Sequence, residues 1–385
     1  GGMYGSDEMI FRVFDTDSFP DFVDSLADLA PAIERDVARL RDNPTSRDIL
    51  TALFRAVHNL KGDSALCKLE LGVRICFPIE SLLSRMRDNE LIFTPLIGEV
   101  FLLALDRLEQ AIEALAEHRT LAPLHLHEML IGLEMLSVQP KDRIETQAAI
   151  FIENITGFRP VAIPEQTHEL NFAPFSSNDA MPTEVEPEPH TSQEAQDLAF
   201  FRSLAQQLET RSPHLLGRTA RVLKLAEETN SEAGYPVSPA QLEAAVYMHD
   251  VGMMFLPEAV WLKVERLSDS DRAVLQSHPN WAADLLARMK GWDEAARMVR
   301  EHHERPLGGG YPQGLFSPDI CAGAKILAIV DAFEAVNLKH SHRGHSLSAL
   351  RAVAEVNACE DQFAPEFIKP FNQVIRRWIT GNPQR

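Results

Sequence analysis

The chain has 385 residues, more than a single hydrophobic core usually holds, which predicts two domains. Hydrophobic residues make up 45% and charged residues 24% of the chain, which excludes a fully disordered protein. The formal net charge of −19 argues against DNA, RNA polymers and anionic membranes as partners. An anionic substrate would therefore need local positive charge from metal ions or from a few arginines.

The cysteines and the start of the sequence indicate where the protein works. Four widely spaced cysteines without a C-x-x-C motif are typical of a reducing compartment and predict no disulfide framework. The segment Gly1 to Phe14 lacks a basic stretch followed by an apolar one, and no part of the chain approaches roughly 18 consecutive apolar residues. We therefore expect a cytoplasmic protein without a membrane-spanning segment.

The hydrophobic pattern predicts an all-α protein in three parts. Residues 1–140 show the spacing of a helical bundle, and residues 193–385 show that of a second helical bundle. Residues 141–192 are predicted to be an acidic, proline-rich linker. This prediction depends on residues 160–194, which contain six prolines and seven acidic residues but no lysine or arginine.

One histidine of the first bundle lies beside a predicted buried stripe. The stripe repeats at helical spacing: Leu50, Leu53, Val57 and Leu60. His58 falls on the neighbouring polar face, with Lys61 one turn away and the small Gly62 leaving space beside the ring. An exposed imidazole next to a cation is suited to accept a phosphoryl group. The alternative interpretation is an ordinary surface histidine.

The segment His58-Asn59-Leu60-Lys61-Gly62-Asp63-Ser64 resembles the H-x-x-K-G-x-S motif of histidine phosphotransfer (Hpt) domains, which are antiparallel helical bundles. The resemblance implies that His58 is the phosphoacceptor and that Lys61 supports it. It also implies a phosphorylated response-regulator receiver or a histidine kinase as the partner. Lys68 stands where the family often has a glycine, so we expect the packing there to differ.

Eight of the 14 histidines follow residue 211, and several occupy positions suited to a shared metal site. His249-Asp250 closes a predicted helix and can offer an imidazole nitrogen and a bridging carboxylate. Asp331 falls on the inner side of a later helix, where a carboxylate without a partner would be costly. The candidate ligands are His249, Asp250, His278, His302, His303 and Asp331.

Residues 211–371 resemble the HD-GYP family of metal-dependent phosphohydrolases. The matching elements occur in the family's order: His249-Asp250, His278-Pro279, His302-His303-Glu304-Arg305, Gly308, Gly310-Tyr311-Pro312 and Asp331. Members are all-α, bind two or three ions, commonly iron or manganese, and many hydrolyse cyclic di-GMP. The resemblance implies two divalent ions, Fe or Mn, bridged by a catalytic Asp250. It also implies substrate contacts from Arg305, Gly310 and Tyr311.

Two of the departures from the HD-GYP pattern concern groups expected to bind metal or phosphate. Arg218 takes the place of a histidine that the family usually supplies from an earlier helix, and His214 lies one turn before it. We expect Arg218 to bind substrate phosphate, and His214 is an additional candidate ligand. Met253 stands where the family has a lysine that is expected to contact phosphate.

Three functional hypotheses remain open at this point. The first is a dinuclear phosphodiesterase acting on cyclic di-GMP and regulated by phosphotransfer at His58. The second is a catalytically degenerate signalling module that binds metal or ligand and acts through protein contacts, with Met253 marking the loss of catalysis. The third is an HD phosphohydrolase acting on another nucleotide. Neither half carries the ATP-binding elements of a kinase, and a homodimer is compatible with the sequence.

Overall fold

A computed structural model describes residues 6–158, 192–255, 268–342 and 349–380. The chain divides into two units, one of residues 1–170 with the short segment Val353–Ala358 and one of the remaining residues. Both units are helical, and the one β-bridge among the described residues pairs Leu307 with Phe316. The predicted all-α fold class is confirmed. None of the described helices combines the length and apolar character needed to cross a membrane.

The first unit contains seven helices within its described residues. They are α1 (Ser6–Phe11), α2 (Phe19–Asp42), α3 (Arg47–Leu66), α4 (Glu70–Arg87), α5 (Pro95–Ala116), α6 (Leu126–Ser137) and α7 (Ile144–Thr156). Local capping sets where two of them begin. The Ser46 hydroxyl accepts a hydrogen bond from the Ile49 N–H at the start of α3, and Thr94 accepts one from Ile97 at the start of α5.

Helix α5 lies at the centre of the first unit. Its buried positions cover most of the helix surface rather than one stripe, and α2, α4 and α7 all pack against it. Ile97, Val100 and Leu108 are completely buried there. Helix α3 packs against α2 and α4, and its polar face carries His58.

The turn between α3 and α4 places Lys68 in a backbone conformation that favours glycine. Lys68 has a φ of 57°, in the left-handed region that glycine adopts without strain. The turn is closed by hydrogen bonds from the Leu69 N–H to the Ser64 carbonyl (2.9 Å) and from the Lys68 N–H to the Ala65 carbonyl (3.0 Å). This pattern ends helices that have glycine after the C-cap. The lysine therefore adopts the backbone conformation that a glycine would.

Helix α7 lies inside the range predicted as linker, so the prediction that the linker starts at residue 141 needs correction. Ala148, Phe151 and Ile152 are buried where α7 packs against α5 and α6. The helix ends at Gly157, which has a φ of 78°. The apolar spacing of α7 is helical, whereas the proline-rich composition begins only at Pro160. Residues 159–191, the core of the predicted linker, lie outside the described residues.

Eight further helices lie within the described residues. They are α8 (Ser192–Glu209), α9 (Arg218–Glu232), α10 (Pro239–Met248), α11 (Asp269–Ala287), α12 (Asp293–Glu301), α13 (Ala322–His342), α14 (Ala349–Asn357) and α15 (Pro365–Thr380). All belong to the second unit except the later part of α14, whose residues 353–357 fall in the segment assigned to the first unit. Helix α9 packs against α10, α13 and α15, while α12 packs against α10, α11 and α13. These contacts bring the C-terminal ends of α10 and α12 close to the middle of α13.

Helices α3 and α4 approach closely at Gly72, which gives a test of the packing below His58. A methyl group added at Gly72 would lie 2.1 Å from Ser64 Oγ and 2.7 Å from Ser64 Cβ. We expect Gly72→Ala to lower the free energy of unfolding of the first unit by about 1–3 kcal/mol, the usual cost of overpacking. Urea unfolding followed by far-UV circular dichroism should show a lower midpoint.

Gly62→Ala is the matched control, because nothing lies within 4 Å of a methyl group added there. Replacing a helical glycine by alanine at an open position should stabilise the unit by about 0.5–1 kcal/mol. All four tryptophans follow residue 192, so tryptophan fluorescence reports on the second unit. The urea midpoint measured by fluorescence should therefore be the same in both variants as in the wild type. Equal destabilisation by the two substitutions would contradict the close approach at Gly72.

Candidate functional site

His58 lies on the exposed side of α3, with 61% of its side chain accessible. Its Nδ1 lies 2.6 Å from Oε1 of Glu80, a buried carboxylate on α4. An ionised carboxylate only accepts hydrogen bonds, so this contact favours the neutral tautomer with the proton on Nδ1 and the lone pair on Nε2. In that tautomer, Nε2 is the ring nitrogen with a free lone pair.

Glu80 also joins the two residues that the sequence singled out. The Lys61 ammonium donates to Oε2 of Glu80, while His58 uses Oε1. The sequence interpretation missed Glu80. An available signal was its position between the buried Ile79 and Leu82, because an acid on an apolar face requires a partner.

The second unit brings all six predicted ligands together at the ends and middles of its helices. Their ligand-type atoms form two groups, and the atoms of each group all lie within 4.8 Å of one another. We call Asp250, His278, His302 and His303 the three-histidine set. We call His249, Asp250 and Asp331 the two-aspartate set. Asp250 belongs to both sets, as expected for a bridging carboxylate.

Close backbone packing brings Asp250 to α11. The short turn that follows Asp250 contains Gly252, where an added methyl group would lie 2.4 Å from the carbonyl oxygen of His278. Any larger residue would push this turn away from α11. As a result, Oδ1 of Asp250 lies 3.5 Å from Nε2 of His278.

Three of the histidines are oriented by the helices that carry them. In each case Nδ1 donates to the carbonyl three residues earlier: His249 to Val246 (2.6 Å), His278 to Leu275 (2.5 Å) and His302 to Val299 (2.6 Å). This contact fixes the tautomer and turns Nε2 towards the ligand sets. Nε2 of His278 and Nε2 of His302 are buried and have no hydrogen-bond partner among the described residues. Such an atom costs about 1–3 kcal/mol unless something binds it, so the set fits a metal ion.

Burial and neighbouring charges set the protonation states that metal binding requires. Burial lowers the pKa of His302 well below its usual value and lowers that of His303 to about 4, which keeps both imidazoles neutral. Burial opposes ionisation of Asp250 and Asp331, but His249 and Arg218 outweigh it. They hold the pKa of Asp250 well below its usual value and that of Asp331 at about 2. Both carboxylates are therefore ionised at neutral pH.

Arg218 lies among the carboxylates rather than facing open space. Its Nη2 donates to Oδ2 of Asp250 and lies 3.1 Å from Oδ1 of Asp331. The same two oxygens lie 2.9 Å and 3.1 Å from Nε2 of His249. Burial lowers the pKa of His249, but the two aspartates raise it to about 10. The side chain of His214, the additional candidate ligand, lies outside the described part of the structure.

The glycine-rich loop after α12 packs against the three-histidine set. Tyr311 stacks on His303, with ring centroids 4.8 Å apart and an angle of 23° between the rings. A methyl group at Gly310 would lie 2.6 Å from the His303 carbonyl oxygen and from the Arg305 nitrogen, so only glycine fits. Arg305, predicted to contact substrate, is exposed at the start of this loop.

The buried Glu304 holds the far end of the loop. Its carboxylate accepts backbone N–H bonds from Gln313 (3.1 Å), Gly314 (2.9 Å) and Leu315 (2.7 Å). The sequence interpretation gave Glu304 no role of its own. The sequence did offer a signal, because Glu304 directly follows two predicted ligands. A carboxylate in that position could equally have been interpreted as a further metal ligand.

Comparisons with known proteins agree with this division of the chain. Residues 19–118 match the Hpt domain family, and residues 202–365 match an HD domain family. One relative is a 3'3'-cGAMP-specific phosphodiesterase 2 from Vibrio cholerae, 31% identical over 37% of this chain and 28% of the relative. The cyclic di-GMP phosphodiesterase response regulator RpfG from Xanthomonas campestris is 32% identical over 33% of this chain and 32% of the relative.

A cyclic di-GMP phosphodiesterase from Thermotoga maritima is 24% identical over 41% of this chain and 41% of the relative. The chain thus matches less than half the length of these three relatives. The two family matches confirm the predicted resemblances at the level of domains. This chain therefore contains an Hpt domain at residues 19–118 and an HD domain at residues 202–365.

Proposed function

We propose that this chain is a signalling protein whose HD domain is a metal-dependent phosphodiesterase for a cyclic dinucleotide, and whose Hpt domain accepts a phosphoryl group at His58. The observation that carries the proposal is the three-histidine set. Two buried Nε2 atoms without partners converge with a shared carboxylate, which is an arrangement that a metal ion satisfies.

The three-histidine set would hold a divalent ion through Asp250, His278, His302 and His303, and the resemblance to HD-GYP proteins predicts two ions, iron or manganese, with Asp250 shared. A bound ion would supply positive charge for the phosphodiester and acidify an attacking water. The protein keeps Asp250 ionised and His302 and His303 neutral, so these groups are ready to bind a cation. The Nδ1 contacts hold the imidazoles so that little reorganisation is needed.

The glycine-rich loop supplies groups that suit a nucleotide ligand. Burial raises the pKa of Tyr311, so its hydroxyl stays protonated and can donate a hydrogen bond. Gly310 lets the loop lie directly on His303, and the exposed Arg305 offers a cation to phosphate. Together they form one wall beside the three-histidine set.

A cyclic dinucleotide is the substrate class that the relatives favour. Those relatives are phosphodiesterases of cyclic di-GMP or of 3'3'-cGAMP. We propose cyclic di-GMP, as the sequence predicts. The net charge of −19 would repel a dianionic ligand, so local positive charge from metal and arginine is needed to bind it.

Two alternatives keep the metal site but change its use. In the first, the domain is a degenerate signalling module, because Met253 in the turn after Asp250 replaces the family's lysine and removes a cation. The presence of every three-histidine ligand favours the enzyme over this module. In the second, the domain hydrolyses another nucleotide, and a panel of substrates distinguishes this from the proposed reaction.

Phosphotransfer at His58 would use the geometry of Glu80. The lone pair on Nε2 attacks the phosphorus of a receiver aspartyl phosphate, forming an N–P bond as the bond between phosphorus and the aspartate oxygen breaks. The imidazole then gains positive charge, which the carboxylate at Nδ1 stabilises. The partner is therefore a phosphorylated receiver domain or a histidine kinase, and phosphorylation at His58 would regulate the HD domain.

We expect the manganese-loaded protein to hydrolyse cyclic di-GMP and His302→Ala to reduce turnover at least about 100-fold. Loss of a direct ligand should exceed the 10–100-fold effect of losing its outer partners. Chromatographic detection of linear or mononucleotide product measures the effect. His127→Ala, a change at an exposed histidine of the first unit, should leave turnover unchanged.

Metal-loaded protein with turnover no higher than that of Asp250→Ala would favour the degenerate module. A panel containing cyclic di-GMP, 3'3'-cGAMP and linear nucleotides then tests the substrate class. Turnover confined to linear nucleotides would contradict the cyclic dinucleotide assignment.

We expect His58→Ala to abolish acid-labile phosphorylation by a phosphorylated receiver domain, and Glu80→Gln to slow it about tenfold or more. The amide cannot stabilise the charge that develops on the imidazole. Rapid-quench measurement of label transfer gives the rate. Glu70→Gln, at an exposed acid on the same helix, should transfer phosphate at the wild-type rate. Label that persists in His58→Ala would overturn the phosphoacceptor assignment.

A further inference from the structure

The feature that departs most from the predicted dinuclear site is the position of Arg218 at the N-terminus of α9. Nη2 of its guanidinium donates to Asp250 and Asp331, the two carboxylates of the two-aspartate set. The side chain is only 15% exposed, so it is built into the site rather than lying over it. An internal cation therefore already lies where the sequence predicts a second metal ion.

The guanidinium uses the oxygens that an ion in this set would require. Oδ2 of Asp250 and Oδ1 of Asp331 face both Arg218 and Nε2 of His249. The two-aspartate set thus consists of atoms that already have charged or hydrogen-bonding partners. A divalent ion at the same oxygens would lie next to a guanidinium that never deprotonates, and like charges at such a distance repel strongly.

Neighbouring contacts of Arg221 hold α9 against α13 next to Arg218. One turn later on α9, the buried Arg221 forms a hydrogen-bonded ion pair with Glu334, and it also donates to the Leu216 carbonyl at 2.6 Å. Arg218 and Arg221 are three residues apart on α9, and their partners Asp331 and Glu334 are three residues apart on α13. Moving Arg218 away would disturb the first of two successive ion pairs between these helices.

The three-histidine set has no such occupant among the described residues. Nε2 of His278 and Nε2 of His302 lack hydrogen-bond partners, and the second oxygen of Asp250, Oδ1, faces His278. Three imidazoles and one carboxylate oxygen form a complete set for one divalent transition metal ion. The two sets therefore differ in kind, because one is open to a cation and the other already contains one.

We propose that the HD domain binds one metal ion, in the three-histidine set, and that the guanidinium of Arg218 takes the place of the second ion between Asp250 and Asp331. The presence of a metal ion in this proposal rests on the proposed function. The proposal replaces the predicted pair of ions by one ion and one guanidinium. Arg218 then supplies fixed positive charge beside the ion, where a substrate phosphate would bind.

Metal analysis of the full chain tests the proposal without reference to turnover. The protein is saturated with Mn²⁺ under anaerobic conditions, freed of unbound metal by gel filtration and analysed by mass spectrometry for manganese per chain. We expect one ion per chain and the resolved hyperfine pattern of an isolated Mn²⁺ in the electron paramagnetic resonance spectrum.

Arg218→His restores the residue type expected at this position and removes the internal cation. We expect manganese content to rise from one to two ions per chain, with a spectrum broadened by exchange between neighbouring ions. Arg218→Lys keeps the positive charge without adding a ligand and should stay at one ion. Circular dichroism and tryptophan fluorescence confirm that each variant is folded.

Two further variants locate the ion. Asp331→Asn, in the two-aspartate set, should keep one ion per chain, whereas His302→Ala, in the three-histidine set, should lose it. An ion lost in Asp331→Asn but retained in His302→Ala would overturn the assignment to the three-histidine set. A folded Arg218→His variant that still binds one ion would overturn the role of Arg218 in excluding the second.

The wild-type result separates this proposal from the proposed function. Two ions per wild-type chain would overturn the substitution by Arg218 and leave a metal-dependent phosphodiesterase intact. No bound ion would overturn both. One ion in wild type, together with two in Arg218→His, supports the proposal.

Discussion

The HD domain is organised around the buried carboxylate of Asp250, which has to remain ionised away from water. An isolated carboxylate in this position would be strongly destabilising, so its two oxygens need charged or hydrogen-bonding neighbours. Arg218 and His249 are the partners of Oδ2, and they come from α9 and from the end of α10. Oδ1 lies 3.5 Å from Nε2 of His278 on α11, without a hydrogen bond between them. The charge on Asp250 therefore helps to hold α9 against the end of α10.

In both domains the Nδ1–H of a histidine is held by a hydrogen-bond acceptor, but the exposure of the ring and the type of acceptor differ. In the Hpt domain, Glu80 accepts the Nδ1–H of His58, and the ring stays exposed so that Nε2 can act as a nucleophile. In the HD domain, backbone carbonyls accept the Nδ1–H of His278 and His302, and Nε2 of both rings is buried among other ligand-type side chains. A carboxylate can also stabilise positive charge that develops on the ring, whereas a carbonyl mainly fixes the tautomer.

Arg218 adds a permanent positive charge to the candidate metal site, although the predicted histidines and carboxylates are all brought together there. A histidine at this position would add an uncharged ligand to the shared carboxylates, whereas arginine adds a permanent charge. The ion pair between Arg221 and Glu334 holds α9 against α13 close to this position. On this proposal, the replacement explains why one ion is expected where the resemblance to HD-GYP proteins implies two.

The sequence by itself determined the all-α class, the Hpt and HD domains and the six residues that meet in the second unit, because helical spacing and ordered motifs are local properties. It misplaced the start of the linker, since only the contacts of α7 with α5 and α6 reveal that this helix belongs to the first unit. Tertiary structure alone decided the roles of Glu80 and Glu304, and the position of Arg218 between Asp250 and Asp331. Charges far apart in sequence become partners only when helices pack, so no local pattern could have specified those contacts.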